Sequence, residues 1–99
     1  MTEKHPSHDR ILAAAFDLAR ERGWPGGITR NGTAERAGVA DGLVNWAFGT
    51  TANLREAVMA QAVAQGELDI VAQGIAAGSE AARAAPHDMK VKALATMLS

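Results

Sequence analysis

The sequence predicts an all-α protein: a three-helix helix-turn-helix unit, then one long helix and a short C-terminal helix. Three observations predict it. Of 99 residues, 22 are alanine, the strongest helix former. Apolar residues recur at helical spacing in several segments, and no segment shows the alternation of a strand. Gly- and Pro-containing breaks then divide the chain into helix-sized pieces. Only 25 apolar residues are larger than alanine, so the core is expected to be thin and to need a partner surface.

The first helix is expected to be capped by Ser7, with Asp9 in the first turn, where the helix dipole favours an acid. Ile11, Leu12, Ala15, Phe16, Leu18 and Ala19 supply its apolar face. Gly23 stops it, and Trp24-Pro25-Gly26-Gly27 reads as a turn. Thr29 caps a short second helix that Gly38 ends; Asn31-Gly32 is unfavourable for helix and leaves its start open by a turn. A third helix begins at Ala40 or Asp41 and carries Leu43 to Phe48. Gly49-Thr50-Thr51 is the next break, with Thr50 or Thr51 as cap. From Ala52 one long helical pattern runs to about Gly78. Residues 79–86 are expected to fray or turn, and a last helix starts near Pro86, in a first-turn position.

The turn between the second and third helices is Ala37-Gly38-Val39-Ala40. Glycine permits the positive φ of a sharp corner, Val39 tucks inward, and the small Ala34 lets the third helix approach the second. On this motif alone, a glycine turn inside any helical bundle is the alternative reading.

Charge excludes some functions. Ten Lys and Arg against eleven Asp and Glu argue against a purely electrostatic nucleic-acid binder and against a basic membrane-surface protein. Residues 1–55 carry seven basic and six acidic groups, residues 56–99 three and five, so the first half is the more positive. Without cysteine there is no disulfide frame, no Cys-based zinc site and no thiol chemistry. The N-terminus MTEKHPSHDR is too polar for a signal peptide, and no uncharged apolar run approaches the ~20 residues of a membrane span. The expectation is a soluble, cytoplasmic protein. His5, His8 and Asp9 have poor spacing for a metal and lack a fourth ligand. No Ser/His/Asp set, carboxylate pair in an apolar setting or Gly-rich phosphate loop is present, so neither enzyme activity nor a cofactor is expected. Gly74-xxx-Gly78 follows Glu67 and Asp69 closely, and so reads as close helix packing and not as a membrane motif.

Several blocks together carry a resemblance. Ile11-Leu12-Ala13-Ala14-Ala15, Glu21-Arg22-Gly23-Trp24, Ile28-Thr29, Ala34-Glu35-Arg36-Ala37-Gly38-Val39, Gly42-Leu43-Val44 with Phe48-Gly49-Thr50, and Leu54-Arg55-Glu56-Ala57-Val58 stand in order over about residues 8–60. They resemble the N-terminal DNA-binding domain of the tetracycline-repressor (TetR) family. The resemblance implies a homodimeric, all-helical transcription regulator whose third helix enters the major groove. The sequence differs from the family pattern in three places. Asn45, Trp46 and Ala47 stand where aromatic and His residues are usual. Thr51 stands where a phosphate-touching Lys is usual. Only about 40 residues follow the unit, where the family has a larger ligand domain.

On that reading the candidate DNA-binding residues are Thr29, Arg30, Ala40, Asp41, Gly42, Leu43, Asn45, Trp46, Thr50 and Thr51. Thr29 and Arg30 open the second helix, where free N–H groups and a cation favour phosphate. Gly42 permits close backbone approach, while Asp41 is better suited to a helix cap than to reading a cytosine amine. Leu43 faces the groove if Val44 and Phe48 supply the buried stripe. Asn45 has the amide that pairs with adenine, or is a solvated helix residue. Trp46 touches a sugar or a thymine methyl, or packs on its own domain. Thr50 and Thr51 cap the fourth helix and are placed to touch phosphate.

Leu54, Ala57 and Val58 should pack on the first helix, and Leu68, Val71 and Ile75 form a further stripe with Met59, Val63 and Ile70 off it. With Val91, Leu94 and Leu98, residues about 64–98 suit a two-fold homodimer interface. The division is residues 1–55 as helix-turn-helix unit and 56–99 as dimerisation part. Two helices hardly enclose the ~300 Å³ of a ligand site, so no small-molecule ligand is expected. The expected function is a homodimeric regulator of double-stranded DNA, a repressor, with residues 41–48 in the major groove. The alternative is a protein-interaction module of the same fold without DNA affinity.

Overall fold

The computed structural model describes residues 6–98, and every element among them is a helix. In order they are α1 (Pro6–Arg22), α2 (Arg30–Ala37), α3 (Asp41–Phe48), α4 (Thr51–Gln65), α5 (Leu68–Ala77), α6 (Glu80–Arg83) and α7 (His87–Met97). Within the described residues α1 already includes Pro6, which a first helical turn tolerates because it needs no N–H there, so Ser7 lies within the helix and not at its cap. His5 lies outside the described residues.

The expected long helix is two helices. α4 ends at Gly66, whose φ of 71° is left-handed. There the Glu67 N–H donates to the Ala62 carbonyl at 2.9 Å, closing the helix end. α5 then folds back against α4. The reversal buries Met59 and Ile70, which the stripe pattern had left aside, together with Val71. Residues 79–86 contain an ordered element, not a frayed one. Ser79 Oγ accepts from the Ala82 N–H at 3.2 Å and donates to the Glu56 carboxylate at 2.8 Å, which also accepts from the Ala81 N–H. α4 therefore caps α6 from outside.

α4 is the spine, packed on α1 and α3 on one side and on α5 and α6 on the other. Ile11, Ile28, Leu54, Val58 and Met59 fill a single core along it. Gly74 is needed for that packing: a Cβ there would fall on Met59 Cε and 2.8 Å from the Ala82 Cβ. Gly78 has a different task, ending α5 in a left-handed conformation. α7 packs on α5 and turns Val91, Leu94, Met97 and Leu98 outward. Among the described residues, no helix is long and apolar enough to cross a membrane.

Candidate nucleic-acid interface

The corner between α2 and α3 is built as its residues require. Gly38 has φ 73° and ψ 36°, and the Val39 N–H reaches back to the Ala34 carbonyl at 3.0 Å. This closes α2 in the six-residue pattern typical of a glycine-terminated helix. Val39 packs against the core, which fixes the direction of α3. From α1, Arg10 Nη2 donates to the Ala37 carbonyl at 2.7 Å, placing a cation at the negative end of α2.

α3 begins with Ala40 at its cap position and no side-chain cap bond. Asp41 is therefore the first helical residue and not the cap, because the Gly38-Val39 corner sets the register. Its charge still suits the positive helix end. Val44 points into the core. Leu43, Ala47 and Phe48 are half-buried against it. Leu43 thus belongs to the flank of the packed face and does not point freely outward. Phe48 stacks on the His8 ring at a centroid distance of 4.4 Å, so that histidine joins α1 to the end of α3. The outer face holds Asp41, Gly42 and Trp46, the last 68% exposed, with Asn45 half-buried at its edge. A Cβ at Gly42 would meet nothing within 4 Å, so the fold itself does not require glycine there.

The starts of α2 and α4 complete the set. Thr29 caps α2 by accepting from the Gly32 N–H at 3.0 Å. Arg30 beside it is exposed and forms no ion pair among the described residues. Thr50 caps α4 by accepting from the Asn53 N–H at 3.0 Å, and Thr51 is the first, half-buried residue of that helix. Asn53 Nδ2 donates to the Phe48 carbonyl at 3.1 Å, tying the end of α3 to the start of α4.

Two residues outside the candidate set bring these helix starts together. Arg55, one turn into α4, directs Nε and Nη2 at the Ile28 carbonyl, at 3.1 and 2.8 Å. Trp24 Nε1 donates to the Arg55 carbonyl at 2.9 Å. The partners stand 27 and 31 residues apart in sequence, beyond the reach of any local pattern.

The exposed cations elsewhere on this half are partly engaged. Arg36 pairs with Glu21, and Arg20 pairs with Glu67 across the Phe16 ring. Among the described residues no group of His, Asp and Glu is arranged to hold a metal. A surface groove of about 380 Å³ is open to solvent and lies far along the chain from α3, against Gly66, Leu68, Pro86 and Met89. No family model, no curated protein and no solved structure matches this chain.

Proposed function

We propose that the chain is a TetR-like, DNA-binding transcription regulator that sets α3 in the major groove of double-stranded DNA and works as a homodimeric repressor. The observation that carries this reading is the outer face of α3. It is held out from the core by the Gly38-Val39 corner, carries an exposed Trp46, and opens on Asp41 and Gly42 with no side chain capping its first amides. Free helix N–H groups attract phosphate, and an exposed aromatic on a short helix marks an interface. Arg30 adds an uncommitted cation at the start of α2. Trp46 and Asn45 are the side chains assigned to base contacts; Thr29, Arg30, Thr50 and Thr51 are assigned to phosphates. The second copy is proposed to sit on the outward face of α7.

A second reading is favoured by Asp41, an acid on the face that would meet phosphate. On that reading α3 docks a protein through Trp46.

Thr51→Lys with Asn45→Ala as its partner separates the two. A threonine at a helix start offers a hydrogen bond but releases no counterion. Thr51→Lys should tighten binding to all duplexes alike and steepen the log–log salt slope by roughly 0.9 per subunit, the increment for one phosphate contact. Asn45→Ala should instead relax preference at one base pair, at ~1–3 kcal/mol, with the slope unchanged. An unchanged affinity and slope in Thr51→Lys would put the start of α4 away from the DNA backbone and favour the protein-docking reading.

A further inference from the structure

Arg55 lies behind the proposed interface and is half-buried with its guanidinium committed inside the chain. Its two donors converge on one acceptor, the Ile28 carbonyl. That carbonyl shares a rigid peptide plane with the N–H of Thr29, the cap of α2. The direction of the Thr29 peptide, and with it the first turn of α2, is thereby set from α4. The backbone of Arg55 is held in turn by the Trp24 indole, whose own N–H donates to the Arg55 carbonyl. The loop between them is closed by the Ile28 N–H on the Pro25 carbonyl at 3.1 Å. Gln73 Oε1 accepts from the Trp24 backbone N–H at 2.6 Å, so α5 anchors the assembly from below. These bonds make a closed ring through residues 24–28 and Arg55. Arg55 and Thr51 stand four residues apart and share a helix face.

We infer that Arg55 is a positioning residue for DNA binding: it fixes the spacing between the starts of α2 and α4, and so decides whether both reach phosphates of one strand. This rests on the DNA-binding reading above. Arg55 touches no DNA itself; it acts through Thr29 and Arg30. Two anchors at the wrong separation cannot both engage a backbone of fixed phosphate spacing, so loss of the ring should cost affinity without altering which bases are preferred.

The test is a double-mutant cycle on duplex DNA, with Arg55→Met, which keeps the apolar stem, and Arg30→Ala. Arg55→Met should weaken binding about tenfold on every duplex and flatten the salt slope by roughly 0.9 per subunit, one phosphate contact in each. Added to Arg30→Ala it should cost less than a further twofold, because both remove the same contact. Should Arg55→Met fail to fold, Trp24→Phe opens the other side of the ring with no change of charge and should shift affinity and slope in the same direction. Losses that multiply in the cycle would mean that Arg55 meets phosphate directly, and would overturn the inference. A wild type that binds DNA, with Arg55→Met unchanged in slope, would overturn it alone. A wild type that binds no duplex at low salt would overturn the reading beneath it and this inference together.

Discussion

At the scale of single residues, Gly42 separates folding from function most sharply. Glycine in a helix is costly because it has the most backbone freedom to lose. Gly74 repays that cost, since Met59 and Ala82 occupy the place of its Cβ. Gly42 does not, for its Cβ would enter open space. Gly42→Ala should therefore raise stability by about 0.5 kcal/mol, a modest gain for a first-turn site. If α3 meets DNA as proposed, the same methyl would stand in the way of a phosphate, and duplex binding should weaken. Thermal melts and anisotropy on the one variant check both halves; equal or tighter DNA binding would remove Gly42 from the interface. Thr33 shows another kind of residue-level cost. Its hydroxyl is buried with no hydrogen-bond partner, in the middle of α2.

At the scale of elements, α1 and α2 are joined on the outside by Arg36, whose Nη2 donates to Glu21 at 3.0 Å while Nη1 meets the other oxygen. The hydrogen bond from Arg36 holds the Glu21 carboxyl below its ordinary value near 4.5. A carboxyl whose folded value is lowered stabilises the fold above its unfolded value, and the gain fades as pH falls through the folded value. Arg36→Met should thus melt below the wild type at neutral pH. The two should converge once the pH passes beneath the lowered Glu21 value, and salt should shrink the gap, as for any exposed pair. A difference that persists in acid would assign the effect to lost packing instead. The elements also show what was legible in sequence. The corner at Gly38 was, because glycine, Val39 and Ala34 all act within six residues. The break at Gly66 was not. Gly66 and Gly74 lie in one continuous helical pattern, yet the first ends a helix and the second sits inside one. What separates them is tertiary: Gly74 lies beneath Met59, while a Cβ at Gly66 would meet nothing within 4 Å. The ring of Trp24, Ile28 and Arg55 was hidden for the same reason, since its bonds span 27 and 31 residues. Of the proposed interface, the helix starts were legible through Thr29 and Thr50 as caps, while the inward lean of Leu43 was decided by the core.

At the scale of the whole molecule, the described chain is a slab of 39 × 32 × 18 Å. α7 packs on α5 and turns its other side outward. Val91, Leu94 and Met97 on that helix, and Leu98 at its C-cap, are left 42 to 90% exposed. A two-fold partner there would also present a second α3, as half-sites one helical turn apart require. Sedimentation at micromolar concentration should show a dimer, and Leu94→Lys should shift it toward monomer without lowering helix content. A clean wild-type monomer would remove the two-half-site arrangement. The central claim, that α3 and the helix starts beside it bind DNA, is tested most directly by titrating the unmodified chain onto random duplex DNA across a range of salt. The expected result is measurable binding at low salt that weakens with a log–log slope of about −1.8 or steeper, one neutralised phosphate at Arg30 in each of two subunits. No binding at low salt would contradict the claim and leave α3, with its exposed Trp46, as a surface for protein.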